Sequence, residues 1–419
     1  MQMKLSNSRK ILLENAFALT ALNALNLLLP LITSPYLLKT VGDAKYGIYS
    51  IVYAMIQFVL LVGQFGFKYT TTKEIAQNRD NLPLVSSIFH STIVARFVLT
   101  TIASICCYAL MLIFYPKYIL LYLFGLGIVY GDILNPVWLF QGMEKMRYMT
   151  IVNSITKILF TVLIFTYIKE ESDYIYILVF NSAGFVTSGI ISLFIAIFMF
   201  HIQWQRITMS DIIHQIKEGS TVFFSSAFIN VFNNSYILIL GLFLNESLIG
   251  IYSGVDKVIK AAKMVVDPIS NALFPHIARN FMGKSNQENV NSIFHYSKVV
   301  GMLLFAITLA IAVMAPWISD NYLKNKTGES VMLIYMMSPL IITGGLNYIL
   351  GMVGLINLGC QKEWLKNLII SSVLGVFTLL ASVRLLGLTA APVSSMITEG
   401  TLMAMSIISL LKIKKRRLE

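Results

Sequence analysis

Residues 247–269 read SLIGIYSGVDKVIKAAKMVVDPI. Asp256, Lys260, Lys263 and Asp267 recur at i, i+4, i+7 and i+11, which on an α-helix places them within an arc of roughly 60°. Lys257 lies on the flank, and Val255, Val258, Ala262, Val265 and Val266 occupy the opposite side. In a water-soluble chain this is an ordinary amphipathic helix. The rest of the chain argues against that setting: its 419 residues are 57% hydrophobic and 12% charged, with a mean hydropathy of +0.74. A soluble domain is about a quarter charged. The composition is that of an all-α polytopic membrane protein, in which an ionisable stripe is costly and faces a partner or a water-filled cavity.

A membrane-spanning helix needs about 20 mostly apolar residues. Twelve such stretches are predicted, at approximately 11–38, 46–67, 84–115, 118–140, 148–168, 174–200, 218–244, 247–272, 294–316, 331–356, 364–386 and 389–411. The first follows Lys4, Arg9 and Lys10 as a signal peptide would, but it contains Pro30 and Pro35 and lacks a small-x-small cleavage site, so it reads as a retained, bent helix. With both termini placed in the cytoplasm, the inside segments hold about 20 Lys/Arg and the outside loops about 6, which satisfies the positive-inside rule. The inside set includes Lys68, Lys73, Arg79, Lys145, Arg147, Arg206, Lys217, Arg279, Lys284, Lys362, Lys366 and the tail KIKKRR; the outside set includes Lys117, Lys169, Lys324 and Lys326. The net charge of +12 is thus spread through short loops as topology, and no basic face for nucleic acid results. The connections at about 69–83, 201–217 and 273–293 are the longest, and none is long enough for a separate domain.

Two blocks repeat. Gly47-Ile48-Tyr49-Ser50 opens the second span and Gly250-Ile251-Tyr252-Ser253 the eighth; Gly142 and Lys145 after the fourth span match Gly359 and Lys362 after the tenth. Similar offsets in the same order point to a duplicated six-helix half, 1–205 and 206–419. An even number of helices gives both halves one orientation, so the pseudo-two-fold axis runs along the membrane normal. Transporters built this way hold the substrate between the halves and alternate access by rocking them.

Within the spans the ionisable residues are Arg96, Asp132, Lys157, Asp256, Lys257, Lys260, Lys263 and Asp267. Structural ion pairing, for example of Asp132 with Arg96 or Lys157, is one reading. A cation-lined cavity is the other. Arg96, Lys157, Lys257, Lys260 and Lys263 outnumber Asp132, Asp256 and Asp267, so pairing alone leaves positive charge that an anionic ligand offsets. A diphosphate, with several acceptor oxygens, suits such a cluster. The carboxylates then tune the charge or take a coupling ion, and Glu399 is a secondary candidate for a proton or cation site. Arg384 is near enough to a helix end to snorkel. Tyr36, Tyr46, Tyr115, Tyr118, Trp204, Trp317 and Tyr322 read as interface anchors. There is no Walker lysine motif, no His-x-x-x-His and no metal-type spacing of Cys106, Cys107 and Cys360. A transporter without a cofactor is expected, not an enzyme.

PLITSPYLLKTVGDAKYGIYS (30–50), FGFKYTTTKEIA (65–76), PVWLFQGMEKMRYMTIVNSITK (136–157) and GIYSGVDKVIKAAKMVVDPISNALFP (250–275) resemble the O-antigen and polysaccharide flippases, the Wzx-type branch of the MOP exporter superfamily. The resemblance implies a MATE-like fold of two six-helix bundles. It implies transfer of an undecaprenyl-diphosphate-linked oligosaccharide from the inner to the outer leaflet of a bacterial inner membrane, coupled to an ion gradient. A polysaccharide polymerase and chain-length machinery are the partners it suggests. A multidrug exporter of the same fold would want an acid-rich cavity, against the positive lining here. A membrane polymerase or ligase would carry a larger outer loop than the one at about 317–330. A lipid II-type flippase fits the cation lining too.

Overall fold

The computed structural model describes residues 2–281, 285–324 and 328–415. Lys284, Lys326, Arg416 and Arg417, used in the orientation count, lie outside the described residues, as do the side chains of Glu14, Pro275, His276 and Arg279. Among the described residues there is no strand. The chain divides into two compact units, Met1–Asn234 and Ser235–Glu419. This division falls inside one helix, whereas the sequence repeat sets its boundary at 205/206.

The first unit contains α1 (Gln2–Gln64), α2 (Phe67–Gln77), α3 (Leu82–Phe114), α4 (Ile119–Ile133), α5 (Val137–Gly142), α6 (Met146–Tyr167), α7 (Tyr174–Phe200) and the start of α8 (Met209–Phe243). Here α1 joins the first two expected spans, but Gly42 interrupts it with φ 76° and ψ 164°, a conformation open to glycine. Tyr46 fastens this break: its hydroxyl donates to Ser34 Oγ at 3.1 Å, and Ser34 donates to the Pro30 carbonyl. Tyr46 is fully buried, so it is a packing residue and not the interface anchor expected of it. Trp204 and Trp317 are exposed as anchors should be.

The connection expected at 69–83 contains α2, which buries Phe67, Thr71 and Ile75. Phe67 and Ile75 join a core with Trp138, Phe140 and Met149, and burying each contributes roughly 1.5–3 kcal/mol. The span expected at 118–140 breaks at Leu134–Pro136 into α4 and α5, because Pro136 has no N–H for the Asp132 carbonyl. The carbonyl takes the Asn135 N–H instead, at 3.2 Å.

The second unit contains the end of α8, α9 (Glu246–Lys263), α10 (Val266–Asn280), α11 (Asn286–Val313), the single turn α12 (Ala315–Trp317), α13 (Glu329–Met337), α14 (Pro339–Asn347), α15 (Gln361–Leu386) and α16 (Ala390–Lys415). A π-helical stretch, Tyr348–Leu355, continues α14. The starts of α9 and α11 carry side-chain caps: Asn245 Oδ1 accepts from Leu248 N, and Ser285 with Glu288 forms a capping box.

The continuous helix expected at 247–272 is broken. Pro268 cannot donate to the Met264 carbonyl and its ring crowds that oxygen. The ladder tightens there, with Val265 N on Ala262 O and Asp267 N on Met264 O. Asp267 therefore belongs to α10, across the break from Asp256, Lys260 and Lys263.

Among the described residues, eight helical stretches are long and apolar enough to cross a membrane. Two of them, Thr20–Gln77 and Gln361–Lys415, run to 58 and 55 residues. Each is long enough for two crossings and each is interrupted, by Gly42 and by the Gly387–Thr389 turn. The charged stretch 247–272 is not among the eight. Ile102, Ile105 and Ile113 on α3, Phe194 and Phe198 on α7, and Val373 and Phe377 on α15 are exposed. Such apolar flanks are what a lipid-facing surface requires.

Candidate substrate-binding site

In the first unit the break between α4 and α5 creates the need that Arg96 meets. Carbonyls freed at the end of α4 have no helical donor. Arg96 NH1 donates to Ile133 O and Asn135 O, each at 3.4 Å, and Nε donates to Gly63 O on α1 at 3.1 Å. NH2 reaches Asp132 Oδ2 at 2.6 Å. Four of the five guanidinium N–H donors are thus engaged, and Arg96 is 4% exposed. A cation at a helix C-terminus is also favoured by the helix dipole. Asn135 Nδ2 donates to Asn153 Oδ1 at 2.9 Å, and Ser188 Oγ donates to the same oxygen.

Lys157, on α6, lies within electrostatic range of Asp132 but spends its hydrogen bond elsewhere. Its ammonium donates to Asn26 Oδ1 on α1 and lies 5.8 Å from the Phe185 ring centre on α7. Its hydrogen-bond partner is a neutral amide, and the sequence carried no marker that Asn26 would supply it.

In the second unit the first half of α9 is buried from Ile249 to Val255, and its last two turns carry Lys257, Lys260 and Lys263. Asp256 Oδ2 pairs with Lys260 Nζ at 2.7 Å along the helix, with Lys260 46% exposed. Lys263 Nζ reaches across to Glu399 Oε1 on α16 at 2.7 Å. Asn347 Nδ2, at the end of α14, donates to Glu399 Oε2 at 2.7 Å and to its backbone O at 2.9 Å. Glu399 is the residue that sequence reasoning underweighted. A single carboxylate in the run PVSSMITEGTLMAMS was the available signal. Arg384 lies over the Phe243 ring at 5.5 Å, away from these groups.

The structure thus gathers the expected residues into two clusters, one in each unit: Arg96 with Asp132, and Lys260 and Lys263 with Asp256 and Glu399. Each cluster balances its cations with carboxylates one for one. No group of three or more His, Cys, Asp or Glu suited to a metal is present among the described residues.

The family described as "Polysaccharide biosynthesis protein" matches residues 12–281. The chain belongs to this family. An Escherichia coli K12 protein named "Putative O-antigen transporter" is 25% identical over 94% of this chain and 95% of its own length. A Shigella dysenteriae protein of the same name is 24% identical over 83% and 87%. Among solved structures, the lipid II flippase MurJ in an inward closed conformation superimposes with a TM-score of 0.73 at 11% identity, covering 96% of this chain and 90% of that one. An inward-facing multidrug resistance MATE family transporter of the MOP superfamily gives 0.67 at 10% identity, covering 91% and 96%. The fold of this polysaccharide biosynthesis family member is therefore MATE-like. Its named relatives are transporters, and it is a multi-pass membrane transporter, not an enzyme.

Proposed function

We propose that the chain is an O-antigen-type flippase. It carries an undecaprenyl-diphosphate-linked oligosaccharide from the cytoplasmic to the periplasmic leaflet of a bacterial inner membrane, by alternating access coupled to an ion gradient. Both termini lie in the cytoplasm, and residues 1–205 and 206–419 are the two duplicated halves. The observation that carries this reading is α9, where three lysines follow one another within the last two turns of a helix whose first half is buried in the unit. Ammonium groups partly desolvated among apolar helices favour a multiply charged, oxygen-rich anion. The named relatives support a saccharide cargo.

In the second unit Lys257, Lys260 and Lys263 bind the diphosphate; in the first unit Lys157 is the cation assigned to substrate. Arg96, already committed to Asp132 and three carbonyls, holds α1, α3 and α4 of the first unit together. Asp132, Asp256 and Asp267 tune the local charge. The product, delivered to the outer leaflet, passes to a polymerase and its chain-length machinery.

The test is translocation of a fluorescent undecaprenyl-diphosphate oligosaccharide in proteoliposomes. The Lys260→Ala/Lys263→Ala variant, expressed and folded normally, should lose transport by at least about tenfold, as expected for removal of charge-assisted contacts. Full translocation by that variant sinks the role assigned to α9.

A further inference from the structure

The ion pair of Lys263 and Glu399 is built unlike the other two. Arg96 and Asp132 have side chains 5% and 19% exposed, and the arginine is anchored by three carbonyls besides. Asp256 and Lys260 lie along a single helix, where the pair is formed by spacing alone. Lys263 instead reaches from α9 to α16, with its side chain 30% exposed. It uses one of its three donors on Glu399. The carboxylate is held independently from its far side, where Asn347 Nδ2 grips both Oε2 and the backbone oxygen. Removing the lysine would leave Glu399 where it is.

Two further features single out this place. Gly344, one turn before Asn347, leaves the space the pair occupies. A Cβ there would overlap Lys263 Cε and Nζ and come within 2.9 Å of Glu399 Oε1. At the far end of the Asn347 amide, Oδ1 is buried without a hydrogen-bond partner, in a residue 2% exposed. A buried acceptor left unmatched costs free energy, so this amide is held by hydrogen bonds at one end only. The π-helical turn Tyr348–Leu355 begins at the next residue, and such turns cluster at functional places.

We propose that Glu399 is an internal stand-in for the substrate's phosphate. It fills the anion position on Lys263 when no substrate is bound, and the diphosphate displaces it. This rests on the reading of the cargo as diphosphate-linked. The exchange breaks no covalent bond: the ammonium trades a carboxylate oxygen for a phosphate oxygen, and Asn347 keeps the released carboxylate hydrogen-bonded. The arrangement spares Lys263 an unpaired charge in the membrane between transport cycles, at the expense of affinity, because every binding event must first break an ion pair. Glu399 is a positioning residue here, acting through Lys263.

The experiment uses the full chain in lipid nanodiscs and inorganic pyrophosphate as the probe, with binding measured by calorimetry. Glu399→Gln keeps an acceptor for Asn347 and removes the competing charge. It should bind pyrophosphate about tenfold more tightly than the unsubstituted protein. The gain should vanish in Glu399→Gln/Lys263→Gln. Unchanged or weaker binding by Glu399→Gln overturns the proposal, as does a gain that survives in the double variant. A second measurement needs no variant: carbodiimide labelling of Glu399, read by mass spectrometry, should rise when pyrophosphate is added, and unchanged labelling overturns the exchange. Translocation of the lipid-linked oligosaccharide is scored separately. Exchange without translocation keeps the stand-in and refutes the cargo; translocation without exchange refutes the stand-in alone.

Discussion

Arg96 on α3 and Asp132 on α4 form a 2.6 Å ion pair at the point where Pro136 ends the helical ladder. The guanidinium therefore does two things: it neutralises a carboxylate and it caps carbonyls that have lost their donors. Removing one partner leaves the other charge in a low-dielectric interior, which costs roughly 3–5 kcal/mol. Arg96→Met and Asp132→Asn are each expected to lower the detergent-solubilised melting temperature sharply. Asp132→Asn should be the milder, since Arg96 keeps its three carbonyl partners. A melting temperature unmoved by Arg96→Met would show that the pair does not hold α3 to α4.

Two glycines bring the backbones of α4 and α7 into direct contact. A Cβ at Gly131 would overlap the backbone of Phe185 and Val186, and one at Gly189 would overlap the carbonyl oxygen of Gly131. Backbone cannot yield as a side chain can, and small residues of this kind let membrane helices approach closely. Gly131→Ala and Gly189→Ala should each destabilise by about 1–3 kcal/mol or more. Gly400→Ala on α16 is the control: no heavy atom lies within 4 Å of its Cβ position. It should leave stability unchanged or raise it by up to about 1 kcal/mol. Thermal unfolding of the three variants side by side checks the contrast.

The fold was legible because bilayer physics is coarse: an apolar run of sufficient length has few alternatives to a helix. Stretches such as 174–200, 364–386 and 389–411 stand nearly as the sequence predicts. The breaks were less legible. Pro136 and Pro268 were visible as prolines, but hydropathy does not say whether a proline bends a helix or divides it. At the site, the charged side chains announced themselves by type. Their partners did not, because Asn26, Asn347 and the carbonyl of Gly63 carry no charge and are brought close only by tertiary packing. Glu399 was visible yet undervalued, since its nearest cation lies 136 residues away in the chain.

At the start of α8, outside the apolar spans, Asp211 accepts from both the backbone N–H and the hydroxyl of Thr208, at 2.8 Å each. These hydrogen bonds favour the charged form and hold its carboxyl below the ordinary carboxylate range. A pKa depressed in the folded state stabilises above the unfolded value, near about 3.9, and that contribution is lost as pH falls through the lower folded value. Stability between pH 7 and 5 should therefore be flat with respect to this group and decline only below about pH 4. Asp211→Asn should remove this part of the acid-side slope while leaving the plateau shape unchanged. The comparison is made by following unfolding of both proteins across pH 7 to 3.

Pro268 divides the cationic helix from α10 and sets Asp267 across the break from Lys260 and Lys263. Pro268→Ala restores an N–H that can reach the Met264 carbonyl and removes the ring that crowds it. The local backbone gains a hydrogen bond worth about 0.5–1.5 kcal/mol, so the variant should melt at the same temperature or higher. A continuous helix would fix Asp267 on the face of Asp256, Lys260 and Lys263 by the i, i+4, i+7, i+11 spacing, holding its carboxylate beside cations assigned to the diphosphate. Binding of pyrophosphate and translocation should then both fall, with the loss of binding reversed by Pro268→Ala/Asp267→Asn. That combination of unimpaired stability with weakened anion binding distinguishes a break that shapes the site from one that only relieves packing. A variant that melts lower while binding normally would assign Pro268 to packing alone.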